Sequence, residues 1–349
     1  MSLTNIVGDL YHKHFYRHYS NVMGRVSDTF KFTALEALIA PVVYLPETLI
    51  AYYAFNSILS SFNGPGNPTA NGSPGGLVMN LLMGLAGAAG LYVTTYGVNH
   101  LRTPLTKKLE LKEKKIDIEK ELNYTIGKLN KLSESPELEQ KEYHDLIKEN
   151  MEKVLEDIYD YKVRVPKRVK TTIFRKVMRK DGWMGMMNPV LTEVISACPD
   201  NLQIDIHSST HERTHITGVC NESEAELLTY IALHKTDNPS LQYQAYFMRL
   251  ESLISQYGYR KFESYCEKTQ LNERTWQEIE DIDKYMKEAE KLGWYGKIRK
   301  GIGDTIRYIL PKRKKSKKER ISARIDKVYI SRPLILMSAY DPPTANTVK

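Results

Sequence analysis

Two stretches in the first third of the chain carry almost no polar pattern. Residues 77–98 (LVMNLLMGLAGAAGLYVTTYGV) run 22 positions without a charge. That is about 33 Å of helix at roughly 1.5 Å per residue, enough to cross a bilayer. Gly84, Ala86, Gly87, Ala88 and Gly90 give this stretch the small-residue face on which membrane helices approach closely. Residues 35–58 are also apolar and long enough, although they contain Pro41, Pro46 and Glu47. A carboxylate at that depth is costly unless it is neutral, paired or near an interface. We expect a second span there, because a lone membrane helix would leave much apolar surface uncovered. The charge-free linker between them is rich in Gly, Pro and Asn and reads as a short hairpin loop. Arg25 and Lys31 precede the pair; Arg102, Lys107 and Lys108 follow it. The positive-inside rule therefore puts both ends in the cytoplasm of an integral membrane protein.

Beyond residue 104 the pattern changes. Residues 105–162 read as two charged amphipathic helices broken near Ser133–Pro136. Residues 163–300 are mixed: 201–206 (NLQIDI) alternates like a strand, helical spacing begins at His211, and 250–294 is helical and charged. Residues 301–349 hold a basic run at 311–320, a final amphipathic stretch and an extended tail. The expected fold is mainly α with a small β component, an α+β domain behind an N-terminal membrane hairpin at 1–104.

Composition narrows the function only slightly. The 349 residues carry a formal charge of +8, which favours anionic partners without choosing between lipid and nucleic acid. The basic run lacks interleaved aromatic residues, so anionic lipid is its expected partner and no specific nucleic acid is expected. Cys198, Cys220 and Cys266 are too few and too irregularly spaced for a disulfide framework or a cysteine zinc site. The polar, aromatic first thirty residues do not fit a secretory signal peptide.

The sharpest chemical pattern is His211-Glu212-Arg213-Thr214-His215, which fits H-E-x-x-H. Four residues apart on a helix, both imidazoles share a face and reach one metal ion, with the glutamate beside them as general base. Ser208, Ser209 and Thr210 are good N-cap residues just before this helix is expected to start. Gly218 is placed to end it, and Asn221 or Ser223 to begin the next. Glu224 lies where a second helix could return a carboxylate to the metal, and Glu222 and Glu226 compete with it. Two histidines and a carboxylate with an open fourth position describe a catalytic zinc site rather than a structural one. His207 and His234 are nearby alternatives. The strand-like segment upstream would offer an edge to an extended peptide.

Along almost its whole length the chain resembles a family of largely uncharacterised bacterial membrane proteins that join N-terminal membrane helices to a zincin-type domain. The resemblance rests on FTALEAL at 32–38, YGVNHLRTPL at 96–105, the proline and glutamate of Asn188 to Glu193, HERTHITG at 211–218, the Glu-Ala pair at Glu224, Tyr243 with Tyr246, and residues 321–330. It implies a gluzincin-like peptidase, with His211, His215 and Glu224 as zinc ligands and Glu212 as general base. It also implies substrate or transition-state roles for Tyr243 and Glu193, and a peptide or protein substrate near the bilayer. Arg213 stands where zincins carry an uncharged residue, so if buried it needs a partner such as a nearby acid. The alternative expectation is an inactive zincin-like membrane scaffold.

Overall fold

Local chemistry sets where the helices begin. The computed structural model describes residues 3–21, 97–112, 116–172, 175–180, 183–188, 192–289 and 332–343. The chain opens with α1 (Leu3–Tyr11) and a π-helical turn at His12–Tyr16. It resumes with a 3-10 turn at Gly97–Leu101 and the short α2 (Leu105–Lys108). The Asp117 carboxylate accepts the first free amides of α3 (Ile118–Leu132), and a Glu139/Glu142 capping box opens α4 (Gln140–Tyr159). Asn201, Asn221 and Asn238 do the same for α6 (Leu202–Ile216), α7 (Glu222–His234) and α8 (Pro239–Tyr257). Each side chain satisfies amides that the helix itself leaves unpaired. Three further helices are α9 (Tyr259–Thr269), α10 (Glu273–Ala289) and α11 (Arg332–Tyr340).

Three short strands supply the β component: β1 (Val169–Thr171), β2 (Gly185–Asn188) and β3 (Glu193–Ser196), with the short helix α5 (Arg175–Lys180) between the first two. Their order is β1-β3-β2, so β3 is central and β2 is an edge. β1 runs parallel to β3 and β2 antiparallel, with Met187 opposite Val194 and Asn188 opposite Glu193. Among the described residues the protein is thus mainly helical with a small three-stranded sheet, as its residue pattern implies. The break between α3 and α4 also falls where Ser133–Pro136 puts it.

The segment 201–206 is a correction. It is not a strand; Asn201 caps α6, and the helix starts one and a half turns before Ser208 to Thr210, which sit in its interior. Ile204 and Ile206 are both buried although they lie on different sides of the helix, because α6 packs on β2 and β3, on α7 and on α4. A helix covered on several sides loses the one-sided stripe that would identify it.

Among the described residues no helix is long and apolar enough to cross a membrane. The expected spans at 35–58 and 77–98 lie outside the described residues, except for positions 97 and 98 in the 3-10 turn, and so does the basic run at 311–320.

The core forms where α3 meets α8 through Leu122, Leu129, Phe247 and Leu250, and where α4 meets α7 through Val154, Leu155, Leu228 and Ile231. Leu334 and Leu336 of α11 complete these clusters. Between them lies a buried ionic knot. Arg249 is fully buried, pairs with Glu121, and donates to Tyr230 Oη at 3.2 Å and to Asp341 Oδ2 at 3.1 Å. The Arg249→Leu variant leaves the Glu121 charge buried and uncompensated, and is expected to cost about 3–5 kcal/mol in urea unfolding. Adding Glu121→Gln should recover part of that loss; a loss below 1 kcal/mol for the single variant, on the order of an exposed pair, would contradict the assignment.

Candidate metal centre

The turn after α6 builds the site. Gly218 has φ +87°, and a Cβ there would meet Arg102 Nη1 and His12 Cδ2, both at 2.7 Å. Only glycine fits that conformation and that approach. The chain then reaches Asn221 and sends α7 back alongside α6. His211 and His215, one turn apart, bring their rings edge-on with centroids 4.6 Å apart and their Nε2 atoms 3.0 Å apart. His215 Nδ1 lies 2.7 Å from the Val219 carbonyl oxygen. A carbonyl only accepts, so Nδ1 carries a proton, and in the neutral ring Nε2 carries the lone pair.

The third donor is Glu222. Its Oε2 lies 3.1 Å from His211 Nε2 and 3.4 Å from His215 Nε2, and the three ligand atoms fall within 4.8 Å of one another. Glu226, four residues on, shares that face of α7. It holds His207 Nε2 at 2.9 Å and stands 3.7 Å from His211 Nδ1, while Glu251 approaches His207 from the other side at 3.4 Å. Glu224, two residues from each, points away. Its Oε1 accepts from the Thr106 amide at 3.3 Å and the Thr106 hydroxyl at 3.1 Å, fixing the start of α2. His215 is 8 % exposed at its side chain and Glu222 is 67 % exposed, so the cluster opens to solvent on the Glu222 side.

Charge follows this geometry. Burial alone would make His211 harder to protonate, but the hydrogen bond to Glu222 and the nearby Glu226 carboxylate lift its pKa to about 9. Hydrogen bonds from His211 and His215 hold Glu222 far below the usual carboxylate range. Glu226 sits equally low, because the His207 charge outweighs its burial. Glu212 behaves oppositely: burial raises its pKa, against the pull of His211 and His215. It lies under the edge strand, where a Cβ on Gly185 would come within 3.0 Å of Glu212 Cγ. The Met187 backbone hydrogen-bonds its carboxylate.

Arg213 is fully buried on the opposite side of α6. Its guanidinium donates to the carbonyls of Pro166 and Lys167, both at 3.2 Å, and meets His144 Nδ1 at 3.4 Å. His144 Nε2 in turn lies 2.9 Å from Asp205 Oδ2, which also accepts from Gln140 at 2.8 Å. The acid that this arginine requires is therefore Asp205, reached through a histidine.

Tyr243, expected at the reacting centre, lies elsewhere. It is fully buried, with its hydroxyl on Glu278 Oε2 at 2.5 Å and Thr275 Oγ1 at 3.0 Å and its ring 4.3 Å from the Arg274 guanidinium. Its side of α8 faces α3 and α10 rather than α6. Glu193 forms a buried ion pair with Lys170 inside the sheet. His234 meets Tyr246 at 3.0 Å, beside Asp341. The three cysteines are free thiols. Gly185 and Met187, which shape the space around Glu212, belong to a strand too short to show in the residue pattern.

Residues 11–302 match a family described as a protein of unknown function (DUF3810), and the chain belongs to that family. No curated protein and no solved structure matches it.

The Asp205 carboxylate titrates below its ordinary 3.8 because hydrogen bonding and charge from His144, with Ser196 and Gln140, outweigh its burial. A depressed carboxylate contributes stability above the unfolded pKa and loses it as pH falls through the folded one. Asp205→Asn should therefore cost on the order of 1.5–3 kcal/mol at pH 7, the range for hydrogen bonds to charged groups. In urea unfolding this gap should shrink once pH drops below 3.8. A gap independent of pH would contradict the ionised relay.

Proposed function

We propose that this protein is a membrane-anchored, zinc-dependent metallopeptidase. In this reading His211, His215 and Glu222 hold the metal and Glu212 serves as general base. The observation that carries the reading is the pair of imidazole Nε2 atoms 3.0 Å apart, one fixed as an acceptor by the Val219 carbonyl, with a carboxylate oxygen beside both. Two imidazole nitrogens and a carboxylate oxygen converging on one point form a set that a small cation completes when the rings are deprotonated, and two nitrogens with one carboxylate suit zinc. The Glu226 carboxylate beside His211 and the Val219 carbonyl beside His215 are the outer partners that orient metal-binding imidazoles.

Zinc in such a site supplies Lewis acidity, making water nucleophilic near neutral pH and polarising a carbonyl. The chain's own part is proton handling. Burial makes Glu212 a stronger base than an exposed glutamate, as a group that takes a proton from attacking water must be. Gly185, lacking a side chain, leaves room for that carboxylate. β2 is an edge strand of the sheet, the kind of position at which an extended peptide can add as a further strand. The uncharged residues 77–98 motivate the membrane anchor, and the basic run at 311–320 suits the anionic inner leaflet. A peptide or protein near the membrane is the corresponding substrate.

The test is metal analysis joined to variants. Purified protein should hold about one zinc per chain, the stoichiometry of a single catalytic site. Glu222→Gln should lose most of it, and Glu224→Gln should keep it because that side chain serves Thr106. Glu212→Gln should retain zinc while peptide cleavage falls by about 10²–10⁴. Carefully prepared protein without stoichiometric zinc would sink the proposal. Cleavage unchanged in Glu212→Gln would leave a zinc-bearing scaffold as the better account.

A further inference from the structure

The outer face of α1 is the largest gathering of exposed apolar side chains among the described residues. Of the seven exposed large hydrophobic residues, three lie there (Ile6, Val7 and Leu10), Phe15 follows in the π-helical turn and Leu101 lies in the 3-10 turn packed on α1, each 40–53 % exposed. Scattered singly such residues are ordinary, but a contiguous patch marks a binding surface. The inner face of the same helix is fully committed. A Cβ on Gly8 would collide with the Leu101 backbone at 2.4 Å, and Asn5 donates to the Arg102 carbonyl at 2.9 Å. Asp9 accepts from both the amide and the hydroxyl of Thr103. Further on, His12 meets the Thr217 carbonyl at 2.8 Å and Tyr16 donates to the Ile216 carbonyl at 2.7 Å. The helix is thus held rigidly against the base of α6 with its apolar side outward.

We propose that this face rests on an anionic phospholipid bilayer, as an interfacial helix that seats the domain on the membrane. Two observations select lipid as the occupant. The first is continuity: the turn that carries Leu101 continues directly from the 22 uncharged residues 77–98, and Gly8 packs on the Leu101 backbone, which brings α1 to the same place. The second is side-chain chemistry. Phe15 stacks on Tyr19 with centroids 6.5 Å apart, and tyrosine is an aromatic type that concentrates at headgroup level. Lys13 is exposed and Arg17 half-buried among them, supplying the cations that anionic headgroups attract. The proposal rests on the membrane-anchored part of the functional reading and is independent of the peptidase part.

The test uses full-length protein in vesicles of phosphatidylcholine and phosphatidylglycerol. Nitroxide labels are placed by Val7→Cys, Leu10→Cys and, as an exposed control on α9, Glu263→Cys, each combined with Cys220→Ser. Labels at 7 and 10 should be more accessible to oxygen than to water-soluble chromium oxalate, at a depth of about 5–10 Å. The label at 263 should show the reverse. Labels at 7 and 10 as open to chromium oxalate as the control would overturn the proposal. Labels shielded from both reagents would also overturn it, because protein rather than lipid would then cover the face. Carbonate extraction of the same vesicles reads the anchor separately. Protein that resists carbonate but leaves positions 7 and 10 in water defeats this inference alone, whereas protein that carbonate removes defeats the anchor. Zinc content should be equal in all three labelled variants.

Discussion

Two imidazole nitrogens that both carry lone pairs repel at 3.0 Å, and the local fold leaves little freedom to relieve the conflict. The Val219 carbonyl holds His215 in one tautomer. His211 has Glu226 on its other nitrogen, and the Glu222 carboxylate adds a third acceptor to the same small volume. A proton or a cation must sit among them. The Glu222, Glu226 and Glu212 carboxylates favour a proton there, outweighing burial and keeping His211 charged up to about pH 9. The arrangement depends on a tight turn: α6 must end, reverse and re-enter as α7 within a few residues, and Gly218 and Asn221 make that possible.

The rest of the domain holds α6 in place from two directions. At its C-terminal end the free carbonyls of Ile216, Thr217 and Gly218 receive Tyr16, His12 and Arg102. Arg102 also brings a positive charge to the negative end of the helix dipole, a favourable term of roughly 0.3–1 kcal/mol. These three side chains come from the N-terminal segment and from the turn after Gly97–Leu101, so both are tied to the end of the helix that carries the histidine cluster. On the far side, Arg213 ties α6 to the chain entering β1, and β1 supports β3, which supports the edge strand over Glu212. An arginine in the motif is therefore compatible with the cluster, because position 213 faces away from it.

The sequence was most legible where a single side chain decides the backbone. Asn221, Gly218 and the polar break at Ser133–Pro136 mark real boundaries, and the four-residue spacing of His211 and His215 correctly places both rings on one face. Patterns that depend on surroundings were harder to read. Alternation at 201–206 resembled a strand because α6 is covered on several sides, and strands of three or four residues are too short to show a period. The choice among Glu222, Glu224 and Glu226 turned on helix phase. Residues 222 and 226 share a face, residue 224 lies about 200° round from 222 at 3.6 residues per turn, and only the packing of α7 on α6 says which face meets the histidines. Tyr243 shows the limit of carrying a role over by likeness, since Glu278 and Thr275 already engage its hydroxyl.

The zinc K-edge absorption spectrum of the loaded protein addresses the central assignment most directly. Two imidazole nitrogens at about 2.0–2.1 Å with carboxylate and water oxygen at about 2.0–2.2 Å are expected from His211, His215 and Glu222. The imidazole scattering should fall by half in His215→Ala. A sulfur shell at about 2.3 Å, or a spectrum unchanged by that substitution, would place the metal elsewhere and contradict the account.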